Sequence, residues 1–305
     1  MRSFLLGRLT RTLIVLFGLT LLVFVLLHLS GDPASVLAPA TASAEDLERI
    51  REDFGLNDPL YEQYLRFVAD TVTGDFGRSW KYQRPAIDLI IERMPATLEL
   101  AGTALLIAVV VGGFLGMAAA ANRGRWIDVG SVGFSIVARA MPSFWLGLMS
   151  ILLFAVILGW TPTSGRGTPL HLVLPAATLA ATFLADVLLL TRSGMLETLD
   201  EDYIRTARAK GLSARLIQLR HALPNAALPV VSSVGLIGGR LIGGAIITET
   251  VFAWPGVGSL AIDGITSRDF PLVQASVIVL AIAVAVVNLL TDLSYGVLDP
   301  RIRHQ

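Results

Sequence analysis

The chain has 305 residues, of which 54% are hydrophobic and only 16% charged, and its formal net charge is +0. Soluble domains average roughly 25% charged residues, so this chain has too little charge to cover a soluble globule. Without an excess of basic charge it is not expected to bind nucleic acid. It has no Cys, which excludes disulfides and thiolate zinc sites, and its four His are too scattered to predict a metal site.

Six apolar stretches are long enough to cross a membrane. A spanning helix needs roughly 20 mostly apolar residues, because the hydrocarbon core is about 30 Å thick and each helical residue rises about 1.5 Å. Backbone amides find no water in lipid, so these stretches are predicted to be helical. The predicted spans are residues 9–29, 97–121, 132–158, 172–191, 226–251 and 273–293.

The first stretch also has features of a cleaved signal peptide, because Arg2, Arg8 and Arg11 precede it. Its apolar run, Leu13–Leu29, is longer than the roughly 7 to 15 residues of a signal core. The small residues that resemble a cleavage site lie well beyond the end of this run. An uncleaved first helix is therefore the favoured interpretation.

The distribution of Lys and Arg predicts the orientation, since short loops rich in these residues stay in the cytoplasm. If the N-terminus is cytoplasmic, most basic residues lie in cytoplasmic segments, and the short outer loops hold only Arg166 and Arg268. Six spans then place both termini in the cytoplasm.

Residues 30–96 are expected outside the cytoplasm and are acidic, with 12 Asp and Glu against 7 Lys and Arg. Ser43 and Asp46 resemble a capping box that opens a helix with Phe54 near its end. A second helix is expected to run from Asp58-Pro59 to Gly74. The segment is interpreted either as a cap over the bundle or as a docking surface for a soluble partner.

The cytoplasmic loop 192–225 is the most informative segment, and its central part reads EDYIRTARAKGLSARLIQLRHALPNA. Ile204 and Ala207 recur at helical spacing, Gly211 suits a left-handed C-cap, and Leu223-Pro224 is expected to open the next helix. A short helix lying across the membrane face is predicted. Its basic residues would contact either anionic lipid or a partner protein.

The fifth span carries glycines every four residues, at Gly235, Gly239 and Gly243, which allow helices to approach closely. They indicate either packing inside one bundle or a sliding surface against a second chain. Arg240 lies in the same stretch and is expected to face a carboxylate or a watery cavity, since a charge facing lipid is costly.

No segment has the context of an activated nucleophile, so no catalytic residue is predicted.

The chain is not expected to bind ATP itself. A phosphate-binding loop requires Gly-Lys-Ser or Gly-Lys-Thr. The two lysines, Lys81 and Lys210, have neither context.

The loop resembles the cytoplasmic signature of ABC importer permeases, which is Glu-Ala-Ala, three residues, Gly, nine residues, Ile, any residue and Leu-Pro. Arg205-Thr206-Ala207, Gly211 and His221-Ala222-Leu223-Pro224 fall at this spacing, although the first, second and Ile positions differ. The form YIRTARAKGL is similar to the dipeptide, oligopeptide and nickel branch. Other family-like motifs are Gly31-Asp32-Pro33, Gly74-Asp75-Phe76-Gly77, Glu249-Thr250-Val251-Phe252 and Leu298-Asp299-Pro300-Arg301.

The resemblance implies an all-α membrane protein with six transmembrane helices, built as a type I ABC importer transmembrane domain. Residues 1–96 would comprise the first helix and an extracytoplasmic segment, and residues 97–305 the permease core. The loop 192–225 would then couple to an ATPase. The residues expected to form this coupling site are Tyr203, Arg205, Thr206, Ala207, Ala209, Gly211, Leu223 and Pro224.

The resemblance also implies partners in the plasma (inner) membrane of a prokaryote: membrane lipid, a second permease, two ATPases that bind ATP and Mg, and an extracytoplasmic binding protein. The expected cargo is dipeptides or oligopeptides, with nickel complexes or other small solutes as alternatives. A self-contained channel or secondary transporter would explain the spans but not the loop.

Overall fold

The computed structural model describes residues 2–29, 33–38, 42–53 and 55–298, and these ranges are mostly helical. Some residues named in the sequence analysis lie outside the described ranges: Gly31, Asp32, Phe54 and residues 299–301. The described α-helices are α1 (Arg2–Leu29), α2 (Pro33–Leu37), α3 (Ala44–Asp53), α4 (Leu60–Thr73), α5 (Ala86–Ala121), α6 (Trp126–Ala140), α7 (Ser143–Ser150), α8 (Pro169–Leu199), α9 (Asp202–Ala209), α10 (Ala214–Leu216), α11 (Leu223–Ala226), α12 (Leu228–Val251), α13 (Val257–Thr266) and α14 (Phe270–Leu298).

Within the described ranges, five helices are long and apolar enough to cross a membrane, and a bent helix pair raises the number to six. This all-helical architecture confirms the predicted fold class. The five candidate spans are Thr10–Leu29, Ala86–Ala121, Pro169–Leu199, Pro229–Val251 and Phe270–Thr291.

The third expected span, 132–158, is bent rather than straight. Helices α6 and α7 meet at an angle of 107°. Pro142 lies at the break, where it lacks an N–H group and disfavours the helical conformation of the residue before it. That residue, Met141, is extended, with φ −78° and ψ 131°. A π-helical stretch, Ile151–Ile157, continues α7.

The chain divides into two compact units, Met1–Thr97 with Pro255–Ala285 and Leu98–Trp254 with Val286–Gln305. In the second unit, α8 packs against α6, α7, α11 and α12. The division into an N-terminal part, 1–96, and a permease core, 97–305, stays a prediction.

In the first unit, aromatic contacts anchor α4 to α1. The buried Tyr64 ring lies 5.9 Å from the Phe17 ring and 5.4 Å from the Phe24 ring. Its hydroxyl oxygen lies 3.0 Å from Oγ1 of Thr20. Part of the segment between the first two spans is therefore packed on the first span.

The predicted helix ends in this segment are confirmed. The Asp46 N–H donates to Ser43 Oγ at 3.2 Å, and the Ser43 N–H donates to Asp46 Oδ2 at 3.0 Å. The Ser43 hydroxyl also donates to Asp46 Oδ2 at 2.7 Å, and this bond, together with the one from the Ser43 N–H, holds the pKa of Asp46 below its ordinary value. Gly74 ends α4 with a left-handed φ of 86°.

Asp269 ties the loop after α4 to the start of α14. Its carboxylate is buried and accepts hydrogen bonds from Ser79 Oγ at 2.5 Å and the Lys81 N–H at 3.0 Å. It also caps α14, because the Leu272 N–H donates to Oδ1 at 3.2 Å. One carboxylate thus satisfies donors from two separate segments.

A second carboxylate holds the same loop. Lys81 Nζ and the Tyr82 hydroxyl each donate to Asp263 at 2.5 Å. Burial raises the pKa of Asp263, but the hydrogen bonds from Lys81 and Tyr82 outweigh burial and leave it below its ordinary value. The same contact raises the pKa of Lys81, so both groups stay charged around neutral pH.

We expect Asp269→Ala to destabilise the protein by about 2 kcal/mol, because it removes a helix cap and leaves buried donors unsatisfied. Asp269→Asn is the matched control, since its amide oxygen still accepts hydrogen bonds. Thermal unfolding of the detergent-solubilised protein measures both variants. An unchanged unfolding temperature for Asp269→Ala would contradict the assigned role.

Candidate functional site

The loop between α8 and α12 contains the predicted short helix, α9. It ends in a Schellman motif, in which the Gly211 N–H donates to the Arg208 carbonyl at 2.9 Å and the Leu212 N–H donates to the Ala207 carbonyl at 3.3 Å. Gly211 has a left-handed φ of 76°, as expected for this position. The local sequence therefore determines where the helix stops.

One face of α9 is buried. Ile204 is 0% exposed and Ala207 is 7% exposed, so both are enclosed by other parts of the chain. They join a cluster of small and aliphatic side chains, which also contains Ala120, Met195, Ile217, Ala222 and Ala226. The ends of α5 and α8 thus hold α9 in place.

This burial changes the interpretation of two predicted site residues. Ala207 was predicted to belong to the coupling site, but its side chain faces the chain's own cluster. Leu223 is half-buried and packs against the same cluster. Both residues pack in the cluster that holds α9 in place.

The other predicted residues of the loop form an exposed surface. We call this the α9 surface, and its members are Tyr203, Arg205, Thr206, Ala209, Gly211 and Pro224. Arg205 Nη1 lies 3.0 Å from Asp202 Oδ1, in a pair that is largely exposed. Such surface pairs contribute about 0 to 1 kcal/mol, so Arg205 is available to other carboxylates.

The α9 surface is continued towards α11 by a side-chain hydrogen bond. The Asn225 amide donates to the Tyr203 hydroxyl at 2.9 Å. Behind α9 lies a groove of about 390 Å³, whose lining includes Arg123, Leu199, Asp200 and Arg208. The site therefore combines a fixed helix with an adjoining concave surface.

A helical segment already begins at Ala214, and α11 then begins at Leu223 with Pro224 in its first turn, as expected. Ser213 has an extended backbone and caps the helix, its Oγ accepting from the Leu216 N–H at 3.4 Å. Pro224 has no N–H, which disfavours regular α-helical bonding around it. The six residues before Leu223, Ile217–Ala222, are π-helical.

An ion pair that no sequence motif indicates fixes the nearby end of α8, with Asp128 buried and Arg192 partly buried. Arg192 Nε and Nη2 lie 2.5 and 3.0 Å from the two carboxylate oxygens of Asp128. The Gly124 N–H donates to the same carboxylate at 2.9 Å. The first turn of α6 is thereby joined to α8, just before the loop.

The glycine stripe of α12 is used mainly within the chain. A side chain at Gly235 would overlap Thr291, and one at Gly239 would lie 2.8 Å from Asn288 Oδ1. Both glycines therefore allow α12 to pack on α14, as in the single-bundle interpretation. Gly243 differs, because no atom lies within 4 Å of a side chain built there.

Arg240 faces a carboxylate and lines a cavity, as expected. Its Nη1 lies 3.6 Å from Asp186 Oδ2, and Arg139 Nε lies 3.4 Å from Asp186 Oδ1. The Arg240 guanidinium also lies 5.2 Å from the Phe183 ring centroid. These groups border a cavity of about 330 Å³.

The spans fit an ABC importer permease and also a self-contained channel or secondary transporter. Comparison with protein families decides between them. Residues 112–304 match the binding-protein-dependent transport system inner membrane component, and residues 1–101 match the N-terminal family of such membrane components. The chain belongs to this family of ABC importer permeases. An ABC importer permease operates in the membrane together with ATPase and binding-protein partners.

Similar sequences extend over the whole permease. It is 40% identical over 306 residues to the glutathione transport system permease protein GsiC of Escherichia coli (strain K12), with 100% of both chains covered. The same identity and coverage apply to the protein of that name from Shigella dysenteriae serotype 1 (strain Sd197).

Solved structures support the fold. An inward-facing structure of the MetNI methionine ABC transporter matches with a TM-score of 0.56 and 19% identity, covering 70% of this chain and 97% of that chain. An amino acid ABC transporter matches with a TM-score of 0.53 and 19% identity, covering 70% and 94% respectively. The permease therefore has the transmembrane fold of ABC importers.

We expect Ile204→Ala to loosen α9, because removing buried methyl and methylene groups from such a cluster costs about 2 to 5 kcal/mol. Hydrogen exchange of the amides in residues 202–212 should become faster, while exchange in α8 stays slow. Ile204→Val, which costs about 0.5 to 1.5 kcal/mol, is the control. Equal protection in Ile204→Ala and the unmodified permease would show that the cluster does not hold the helix.

Proposed function

We propose that this permease forms, with a second homologous permease, the translocation pathway for dipeptides or oligopeptides, driven by partner ATPases. The observation that carries the proposal is the α9 surface, an exposed patch on a helix that the buried Ile204 fixes to the ends of α5 and α8. In a self-contained channel such a patch would contact only lipid headgroups, whereas in an ATP-driven importer it has a protein partner. The arrangement suits transmission of force from a cytoplasmic partner to the spans.

The chemistry of the α9 surface suits a cleft in an ATPase. Thr206, Ala209 and Gly211 are small and permit close approach of another backbone, while Arg205 offers hydrogen bonds to carboxylates at the rim. The close packing of Ile204 and Ala207 would pass a displacement of α9 on to α5 and α8. In this mechanism, closure of the ATPases moves the helix ends and switches the access of the pathway.

The proposal assigns ATP and Mg to two partner ATPases, because neither lysine of this chain lies in a phosphate-binding loop. The distribution of Arg and Lys supports cytoplasmic termini, with the α9 surface on the same side. The corresponding location is the plasma (inner) membrane of a prokaryote. The extracytoplasmic binding protein would deliver the cargo from the other side.

A peptide cargo is favoured over a nickel complex by the relatives named as glutathione permeases. Glutathione is a short peptide with free carboxylates, and dipeptides and oligopeptides share this chemistry. Selection among peptides would lie largely with the binding protein, since a passage for varied peptides needs few side-chain contacts.

We expect Gly211→Asp to reduce coupling, because it places a negative charge on the α9 surface. Gly211→Asn is the matched control: it has the same shape and shares the cost of a left-handed backbone, which Asn and Asp tolerate better than most residues. ATP hydrolysis and uptake are measured on the same reconstituted complex. Gly211→Asp should hydrolyse ATP with little uptake, whereas normal uptake would contradict the assigned surface.

Reconstitution into proteoliposomes tests the function as a whole. We expect peptide uptake only when the second permease, the ATPases, the binding protein and ATP are all present. Omission of the ATPases is the control. ATP-independent uptake by this chain alone would favour a channel or secondary transporter and contradict the proposal.

A further inference from the structure

We propose that Arg240 and Arg139 form a binding site for the carboxylate of a peptide as it passes through the permease. The inference rests on the proposed peptide function and adds a site within the pathway. It follows from the position, the charge balance and the surroundings of three side chains: Arg139, Asp186 and Arg240.

Arg240 lies at the middle of its span. It is eleven residues from each end of the candidate span Pro229–Val251. At about 1.5 Å per residue, this is about 16 Å from either end, near the centre of a hydrocarbon core about 30 Å thick. A guanidinium at this depth is costly unless it faces a carboxylate or water, so its presence indicates a function.

The charges in this cluster do not balance. Among the side chains that the structure describes, the cluster has one carboxylate, Asp186, which lies 3.6 Å from Arg240 and 3.4 Å from Arg139. Both distances exceed those of good hydrogen bonds to a carboxylate, which are about 2.7 to 2.9 Å. The three side chains thus carry a net charge of +1 and loosely held guanidinium groups.

The exposure of these side chains shows where the spare donors point. The Asp186 side chain is 19% exposed, whereas those of Arg139 and Arg240 are 55% and 54% exposed. A guanidinium has five N–H donors, and one carboxylate cannot satisfy two such groups. The arginines therefore present donors to the cavity, which Asp186 also borders with a smaller exposed fraction.

The cavity suits a carboxylate with an adjoining apolar group. Its volume is about 330 Å³, which is small for a whole oligopeptide, and aliphatic side chains line it beside the charged groups. The wall residues include Leu189, Leu190, Leu236 and Ile237. Such walls strengthen electrostatic attraction compared with bulk water. A passing peptide would bind here through one end and then be released.

Arg240 is also on an open face of α12. Leu236, Gly243 and Ile247 are exposed at helical spacing around it, and nothing lies within 4 Å of a side chain built at Gly243. In the proposed complex this face borders the pathway, next to the second permease. The cavity would then open towards the cargo.

A purely structural role for Arg240 is the competing explanation. In that case it would serve only to neutralise Asp186, and its removal would impair every cargo equally. A role in cargo binding predicts a loss that depends on the carboxylate of the cargo. The two explanations therefore differ in substrate dependence.

The experiment uses the complete complex in proteoliposomes, with binding protein, and compares a dipeptide with its C-terminal amide. The pair is chosen so that the unmodified binding protein binds both forms. For each complex, uptake of the free acid is divided by uptake of the amide. Dividing this ratio by that of the unmodified permease cancels the preference of the binding protein.

We expect Arg240→Gln and Arg139→Gln each to lower this ratio about two- to fivefold, the effect of losing one partly exposed charge contact. Arg240→Lys, which keeps the charge, should retain most of the ratio. An equal loss of uptake for acid and amide in Arg240→Gln would overturn the site and indicate a structural role. Failure of the unmodified complex to import either peptide would refute the peptide function itself.

Discussion

The absence of water in the hydrocarbon core is the constraint on which this permease depends. It forces the backbone into helices and makes every charge within a span need a partner. Asp186 is therefore enclosed between two arginines, Arg139 and Arg240, and stays mostly buried. The same constraint makes the surplus positive charge of that cluster informative, since an unneeded guanidinium would be expensive.

Where the chain leaves the core, different interactions determine its shape. The α9 helix is short, and isolated helices of this length are unstable in water, so tertiary packing must hold it. Ile204 and Ala207 provide that packing, and the Asp128–Arg192 pair fixes the adjoining end of α8. The exposed side of α9 can then vary its contacts without disturbing the fold.

Two carboxylates play a comparable part in the first unit. Asp269 caps α14 while holding the loop around Ser79, and Asp263 binds Lys81 and Tyr82 of the same loop. Contacts that join residues so distant in sequence restrict the loop more than local turns do. The motif Gly74-Asp75-Phe76-Gly77 directly precedes this loop.

The sequence by itself determined the features that depend only on residues close together in the chain, such as apolar length and helix caps. Apolar length predicted the spans, Ser43 and Asp46 predicted a helix start, and Gly211 predicted a helix end. Motif spacing identified the importer family, and the fold is confirmed by the structure. The bend at Pro142 was not predicted, because the apolar pattern continues through the break.

Only the tertiary structure decided which face of each element is used. Ala207 and Ala209 were both predicted to belong to the coupling site, yet Ala207 is buried and Ala209 is exposed. Thr291 and Asn288 fill the space beside Gly235 and Gly239, whereas the space beside Gly243 is open. Arg139, Asp186 and Arg240 come from three separate helices, and no spacing rule could bring them together. Such contacts depend on how helices distant in the chain pack, because each side chain's role depends on what lies opposite it.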